Sequence, residues 1–181
     1  MKISKLTRHV DSKAEAARRR VGDVLYISRA KAKRRVLNEE QELRSLVART
    51  TAQAGQGSYR EIVMEDHDVG EQIRAMQNAS IIVLQHGAAT AIAALAAPGT
   101  LILLLVHSTS GSPQTDLMPP WLGVSTVRVL SGGNFDTRAR MVSAWRVRVG
   151  TALRELIAWS AGRGGAASRL WSEHVELRAV H

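Results

Sequence analysis

The sequence predicts an α/β domain with a doubly wound, mainly parallel sheet, and three observations carry that prediction. The run Ile81-Ile82-Val83-Leu84 is apolar without alternation, the pattern of a strand covered by helices on both faces. Further strand-like runs alternate along the chain with helical segments, the βαβ order of a parallel sheet. The 81–84 run stops at His86-Gly87 and opens into the small-residue segment Ala88-Ala89. Open parallel sheets hold ligands at such places, beyond the carboxyl ends of their strands.

The elements follow in order, with boundaries uncertain by about two to four residues. Asp23 to Ser28 forms a first strand and leads into a loop carrying Arg29, Lys31, Lys33, Arg34 and Arg35. Asn38 starts a helix over 38–50, where its side chain caps free N–H groups and Gln41 completes a capping-box-like pair. A short Gly-rich loop over 52–58 precedes a strand at 60–64. The acidic turn Glu65-Asp66-His67-Asp68 then starts a helix over 69–78. A strand at 80–85 is followed by a helix at 88–96, which Pro98-Gly99 ends before a strand at 100–106. The segment from His107 to Gly123 contains Pro113, Pro119, Pro120 and Trp121. It reads as a lid, an interdomain contact or an idle surface loop. A strand at 124–130 and a long helix at 139–159 complete the alternation.

Three parts result: a basic N-terminal arm over 1–20, an α/β domain over 21–160, and a tail over 161–181. The tail begins with the flexible joint Ala161-Gly162-Arg163-Gly164-Gly165 and ends in a short helix. The 181 residues accommodate about one domain. Hydrophobic residues make up 45% but aromatic residues only 4%, so the core is built from Val, Leu, Ile and Ala. Twenty-five Lys and Arg against 16 Asp and Glu give a net charge of +9, which attracts phosphates of any kind. The basic residues are scattered, and no nucleic-acid-binding signature accompanies them. The absence of cysteine excludes disulfides, thiolate nucleophiles and cysteine-based metal sites. Met1-Lys2-Ile3-Ser4-Lys5-Leu6 has charge but no apolar run of the signal-peptide kind. Ala88 to Val106 is long and apolar enough to score as a membrane span, yet Pro98-Gly99 divides it, so no span is expected.

Two places carry candidate chemistry. Arg29 stands at a strand end in a loop whose crowded cations a bound phosphate or diphosphate would relieve through charge-assisted contacts. Lys31 and Lys33 read as solvated surface charge. At the second place, Gly87 lets a ligand approach the backbone, and His86 supplies a donor that titrates near neutrality. The plainer alternative makes His86 a substitute helix cap and Gly87 a turn. Asp66-x-Asp68 matches a divalent-cation motif in form, but carboxylates before a helix also serve as caps. No Ser/His/Asp triad can be assembled, and no residue is assigned a catalytic role.

Tyr26-Ile27-Ser28-Arg29, Arg34-Arg35-Val36-Leu37-Asn38-Glu39, Glu71-Gln72-Ile73-Arg74, His86-Gly87-Ala88-Ala89 and Ala97-Pro98-Gly99-Thr100 together resemble the C-terminal part of the family 61 glycosyltransferases. That family includes plant xylan arabinosyl- and xylosyltransferases and animal EGF-domain O-GlcNAc transferase. The resemblance covers roughly residues 23 to 106; each piece is weak alone and the ordered set is fairly specific. It implies a Rossmann-like domain, the C-terminal half of a GT-B glycosyltransferase, that binds a nucleotide-sugar. Ser28, Arg29, Arg34, His86, Gly87, Ala88 and Ala89 would then line the donor site, with Arg29 and Arg34 on the diphosphate.

The sequence departs from the family after the His-Gly-Ala-Ala turn, where Thr90, Ala91 and Ile92 replace the usual Leu-Thr-Asn. Leu104 stands about where the family's strand carries a glutamate. The chain is about one domain long, so the acceptor-binding N-terminal domain is expected to be missing. The resemblance implies transfer from a UDP-sugar donor to a glycan or protein hydroxyl, without cofactor or metal, in the Golgi or another secretory compartment. The alternative from another class is a non-catalytic basic phosphate- or nucleic-acid-binding module.

Overall fold

A computed structural model describes residues 22–31, 40–55, 57–107, 125–131 and 143–161. The N-terminal arm, the basic residues 33–35 including Arg34, the capping residue Asn38, the proline-containing segment after residue 107 and the C-terminal tail lie outside the described residues.

Strand β1 (Val24–Ser28) leads to helix α1 (Glu40–Gln53), β2 (Tyr59–Val63), a 3-10 turn (Met64–Asp66) and α2 (Val69–Gln77). Next come β3 (Ile81–Gln85), α3 (Ala89–Ala93), β4 (Leu101–His107), β5 (Ser125–Ser131) and α4 (Ser143–Ser160). The five strands form one sheet in the order β2-β1-β3-β4-β5, and every neighbouring pair is parallel. The doubly wound α/β class expected from the sequence is therefore the class observed.

The unbroken apolar runs are explained by the two faces of this sheet. Successive side chains of a strand point to opposite sides. Val24, Tyr26, Ile81, Val83, Leu101, Leu103 and Leu105 pack with Leu43 and Val47 of α1 and Val149, Leu153, Leu156 and Ile157 of α4. Leu25, Ile27, Ile82, Leu84, Ile102, Leu104 and Val106 pack on the other side with Met76 of α2 and Ala93 of α3. Both faces of the central strands β1, β3 and β4 are buried, so neither parity of these three carries charged residues, whereas the edge strand β2 includes Arg60 and Glu61. Each Leu or Ile so buried contributes about 1.5–3 kcal/mol.

The amino ends of β1 and β2 are tied by one carboxylate and one close backbone approach. Asp23 Oδ1 accepts from Ser58 N at 3.0 Å and Ser58 Oγ at 2.8 Å. Gly57 has φ +78°, and a Cβ there would stand 2.1 Å from the Gly22 carbonyl oxygen. Only glycine fits.

Two elements differ from the sequence expectation. The helix expected over 88–96 is the five-residue α3, and the 3-10 turn after β2 was not anticipated. Around α3 the chain keeps making short-range bonds, Thr90 N to Gly87 O, Ala91 N to Ala88 O and Ala96 N to Ala93 O, so it winds as tight turns before Pro98-Gly99 releases β4. The stretch from Ala88 to Val106 is thus a short helix and a buried strand. Among the described residues no helix is long and apolar enough to cross a membrane.

Candidate functional site at the carboxyl ends of β1 and β3

From β1 the chain winds to β2 on one side, then returns across the sheet to β3 on the other side of β1. Open α/β sheets bind ligands in the crevice at such a reversal, beyond the carboxyl ends of the strands, here those of β1 and β3. The first residues past those two ends are Arg29 and His86. They meet there: Arg29 Nη1 donates to the His86 carbonyl oxygen at 2.7 Å. His86 in turn extends the sheet by donating its backbone N–H to Leu105 O at 2.9 Å.

Gly87 provides the surface on which the guanidinium lies. A Cβ on this residue would stand 2.8 Å from Arg29 Nη1 and 3.1 Å from Cζ, closer than van der Waals contact allows. The missing side chain of Gly87 is therefore used by an arginine of the same chain. Burial lowers the Arg29 pKa from its usual value, while the charges of Glu40 and Glu65 oppose that shift; the group remains a cation.

Glu40, the first residue of α1 and 8% exposed, binds these elements together from beneath. Its Oε1 accepts from Tyr26 Oη at 2.7 Å, Ser28 Oγ at 3.0 Å and Arg29 N at 2.9 Å. Its Oε2 accepts from Gln85 Nε2 at 2.7 Å. Tyr26, Ser28 and Arg29 come from β1 and the residue after it, and Gln85 ends β3, so one carboxylate bridges both walls of the crevice. Burial, followed by the charge of Glu40, drives the Tyr26 phenol far above the usual tyrosine range. Tyr26 accordingly stays a donor.

The expected site residues divide accordingly. Arg29, His86 and Gly87 come together. Ala88 is exposed and Ala89 half-buried on the same turn. Ser28 is buried, with its hydroxyl engaged by Glu40 and accepting from Ala30 N at 3.3 Å. The helix after His86 is stationed as expected, but Ala88 is its cap residue and provides no side-chain cap bond. The Gly87 N–H donates to Thr90 Oγ1 at 3.2 Å, so Thr90 serves the turn itself. Leu104 is fully buried in the core cluster that includes Ile27, Ile82 and Met76.

The acidic turn is occupied by structural bonds. Asp68 caps α2, with Oδ1 accepting from Glu71 N at 2.8 Å and Glu71 Oε2 accepting from Asp68 N at 3.2 Å. Asp66 pairs with Lys31, an exposed pair worth at most about 1 kcal/mol. His67 Nδ1 lies 3.3 Å from Glu71 Oε2. Among the described residues no three His, Asp or Glu side chains gather as metal ligands.

Sequence reasoning missed Glu40 and Gln85. The available signal was a polar residue closing an apolar strand and an acid at a helix start. Their partnership across 45 positions has no local signature.

The profile of the Glycosyltransferase 61 family matches residues 1–103, more than half of the chain and all of the crevice. The chain belongs to glycosyltransferase family 61. Transferase chemistry on a sugar is the activity class of that family, and the polyanion-binding alternative has no support from it. This family 61 chain matches no curated protein sequence. Its fold is shared with the flavodoxin-like domain of a Synechococcus protein (TM-score 0.53, 19% identity, 77% of this chain and 97% of that one). It is shared also with rubredoxin oxygen:oxidoreductase from Desulfovibrio gigas (TM-score 0.57, 9% identity, 84% of this chain). The family 61 chain spans 39% of the latter's length. At these identities the likeness concerns the fold alone, and the strand order observed here is that of flavodoxin-like sheets.

Proposed function

We propose that this domain is the donor-binding half of a GT-B, family 61 glycosyltransferase and holds the diphosphate of a UDP-sugar at the β1/β3 crevice. The observation that carries the reading is the meeting of Arg29 with the His86-Gly87 turn at the point where the sheet reverses its winding. A cation held against a bare backbone surface is suited to a diphosphate, which arginine meets with two parallel hydrogen bonds. In the transfer, the acceptor hydroxyl of a glycan or protein attacks the anomeric carbon and the bond to the diphosphate oxygen breaks. Negative charge grows on that oxygen, and Arg29 stabilises it. The acceptor proton goes to a base, which this reading assigns to a separate acceptor-binding domain. An inverting, metal-independent reaction in a secretory compartment follows from the family resemblance.

Calorimetric titration with UDP tests the reading. The wild-type domain binds, and Arg29→Ala weakens binding by about 1.5–3 kcal/mol, the range for a hydrogen bond to a charged group. Equal affinity of the two proteins removes Arg29 from the site.

A further inference from the structure

Glu40 presents a chemical question that the fold alone does not answer. A carboxylate is costly to bury, and its four hydrogen-bond donors, the Tyr26 and Ser28 hydroxyls, the Arg29 backbone N–H and the Gln85 amide, are all neutral. Three of them converge on Oε1 and only Gln85 is on Oε2. An amide at position 40 could therefore keep the whole set, its carbonyl replacing Oε1 and its NH2 turned to Gln85 Oε1 once Gln85 flips. Among the described residues Gln85 Oε1 takes no hydrogen bond, so it is available for that exchange. The hydrogen bonds, rather than the charge, thus fix where position 40 stands and what it holds.

We propose that Glu40 is a positioning residue for the diphosphate-binding arginine: it fixes the Arg29 backbone at the end of β1 and the Gln85 side chain at the end of β3. This deepens the donor-site reading and rests on it. Because Arg29 leaves a backbone held by Glu40 and reaches the His86 carbonyl, the spacing of the two crevice walls and the direction of the guanidinium are set by the same carboxylate. Glu40 then acts on the ligand through Arg29.

A double-mutant cycle on UDP affinity tests this, using Arg29→Ala, Glu40→Ala and the pair. Glu40→Ala weakens UDP binding about tenfold, and it adds no further loss in the Arg29→Ala background, since coupled residues are non-additive. A purely structural role predicts additive losses, which would overturn the proposal, as would unchanged affinity of Glu40→Ala. Should Glu40→Ala not fold, Glu40→Asp, which withdraws the carboxylate from Arg29 N, takes its place in the cycle. Glu40→Gln keeps UDP affinity within about threefold, because the hydrogen bonds survive; a loss as large as that of Glu40→Ala counts against the bonding scheme. Nitrogen NMR of the free protein reads the positioning without any nucleotide: the Arg29 amide is protected from exchange in the wild type and in Glu40→Gln, and loses protection in Glu40→Ala or Glu40→Asp. If the wild type binds no UDP, the donor reading fails while this amide signal still decides the positioning claim.

Discussion

The guanidinium of Arg29 reaches the backbone carbonyl of His86 across 57 positions of sequence, at 2.7 Å. Two loops that follow different strands are thereby joined at the mouth of one crevice, and the contact depends on residue 87 having no side chain.

Gly87→Ala separates what this contact does for binding from what it does for stability. Its backbone does not require glycine, and the atoms an added Cβ would strike belong to the mobile end of Arg29. Stability should change by less than about 1 kcal/mol in urea unfolding, since exchanges outside core and cap sites have small effects. UDP affinity should fall toward that of Arg29→Ala. A variant that binds as wild type would show that Arg29 does not need this surface.

Asp68→Ala should cost about 1 kcal/mol of stability, the usual value of an N-cap, because Asp68 closes a reciprocal capping box with Glu71. UDP binding should be unchanged in this variant, and equally unchanged when EDTA replaces magnesium in the titration buffer. A metal-dependent affinity that vanishes in Asp68→Ala would return the acidic turn to the donor site.

Leu104→Ala should destabilise the domain by about 2–5 kcal/mol, the range for a buried leucine truncated in a packed core. Leu104 is fully buried on the α2 and α3 side of the sheet. Denaturant midpoints measure this. A loss below about 1 kcal/mol would mean that the strand is less tightly covered than its burial indicates.

Alkaline unfolding should begin near the ordinary tyrosine range. Tyr26 and Tyr59 both have phenol pKa values raised by burial, with Glu40 and Glu61 respectively adding to the shift. A raised folded value means that the unfolded chain loses these protons first, so their contribution is fully present below about pH 10 and declines as pH rises beyond it. Stability measured from pH 8 to 11 should fall more steeply for the wild type than for Tyr59→Phe. Identical slopes would show that Tyr59 is not held protonated by the fold.

The sequence by itself determined the class of fold, the order of its elements and the position of the turn after β3. These are local properties: unalternating apolar runs require helices on both sheet faces, and a glycine after a strand marks the turn whatever the rest of the chain does. It determined also the family, through ordered pieces that include Arg29 and the His86-Gly87 turn. Tertiary structure decided which side chains meet at the carboxyl ends of the strands and which lie beneath them. Ser28 is drawn under the crevice and Leu104 into the core, while Glu40 and Gln85, which have no motif of their own, become the bridge between β1 and β3. The reason is geometric: parallel pairing brings residues 27 and 84 side by side, and only that pairing sets a carboxylate at the start of α1 within reach of the ends of two strands.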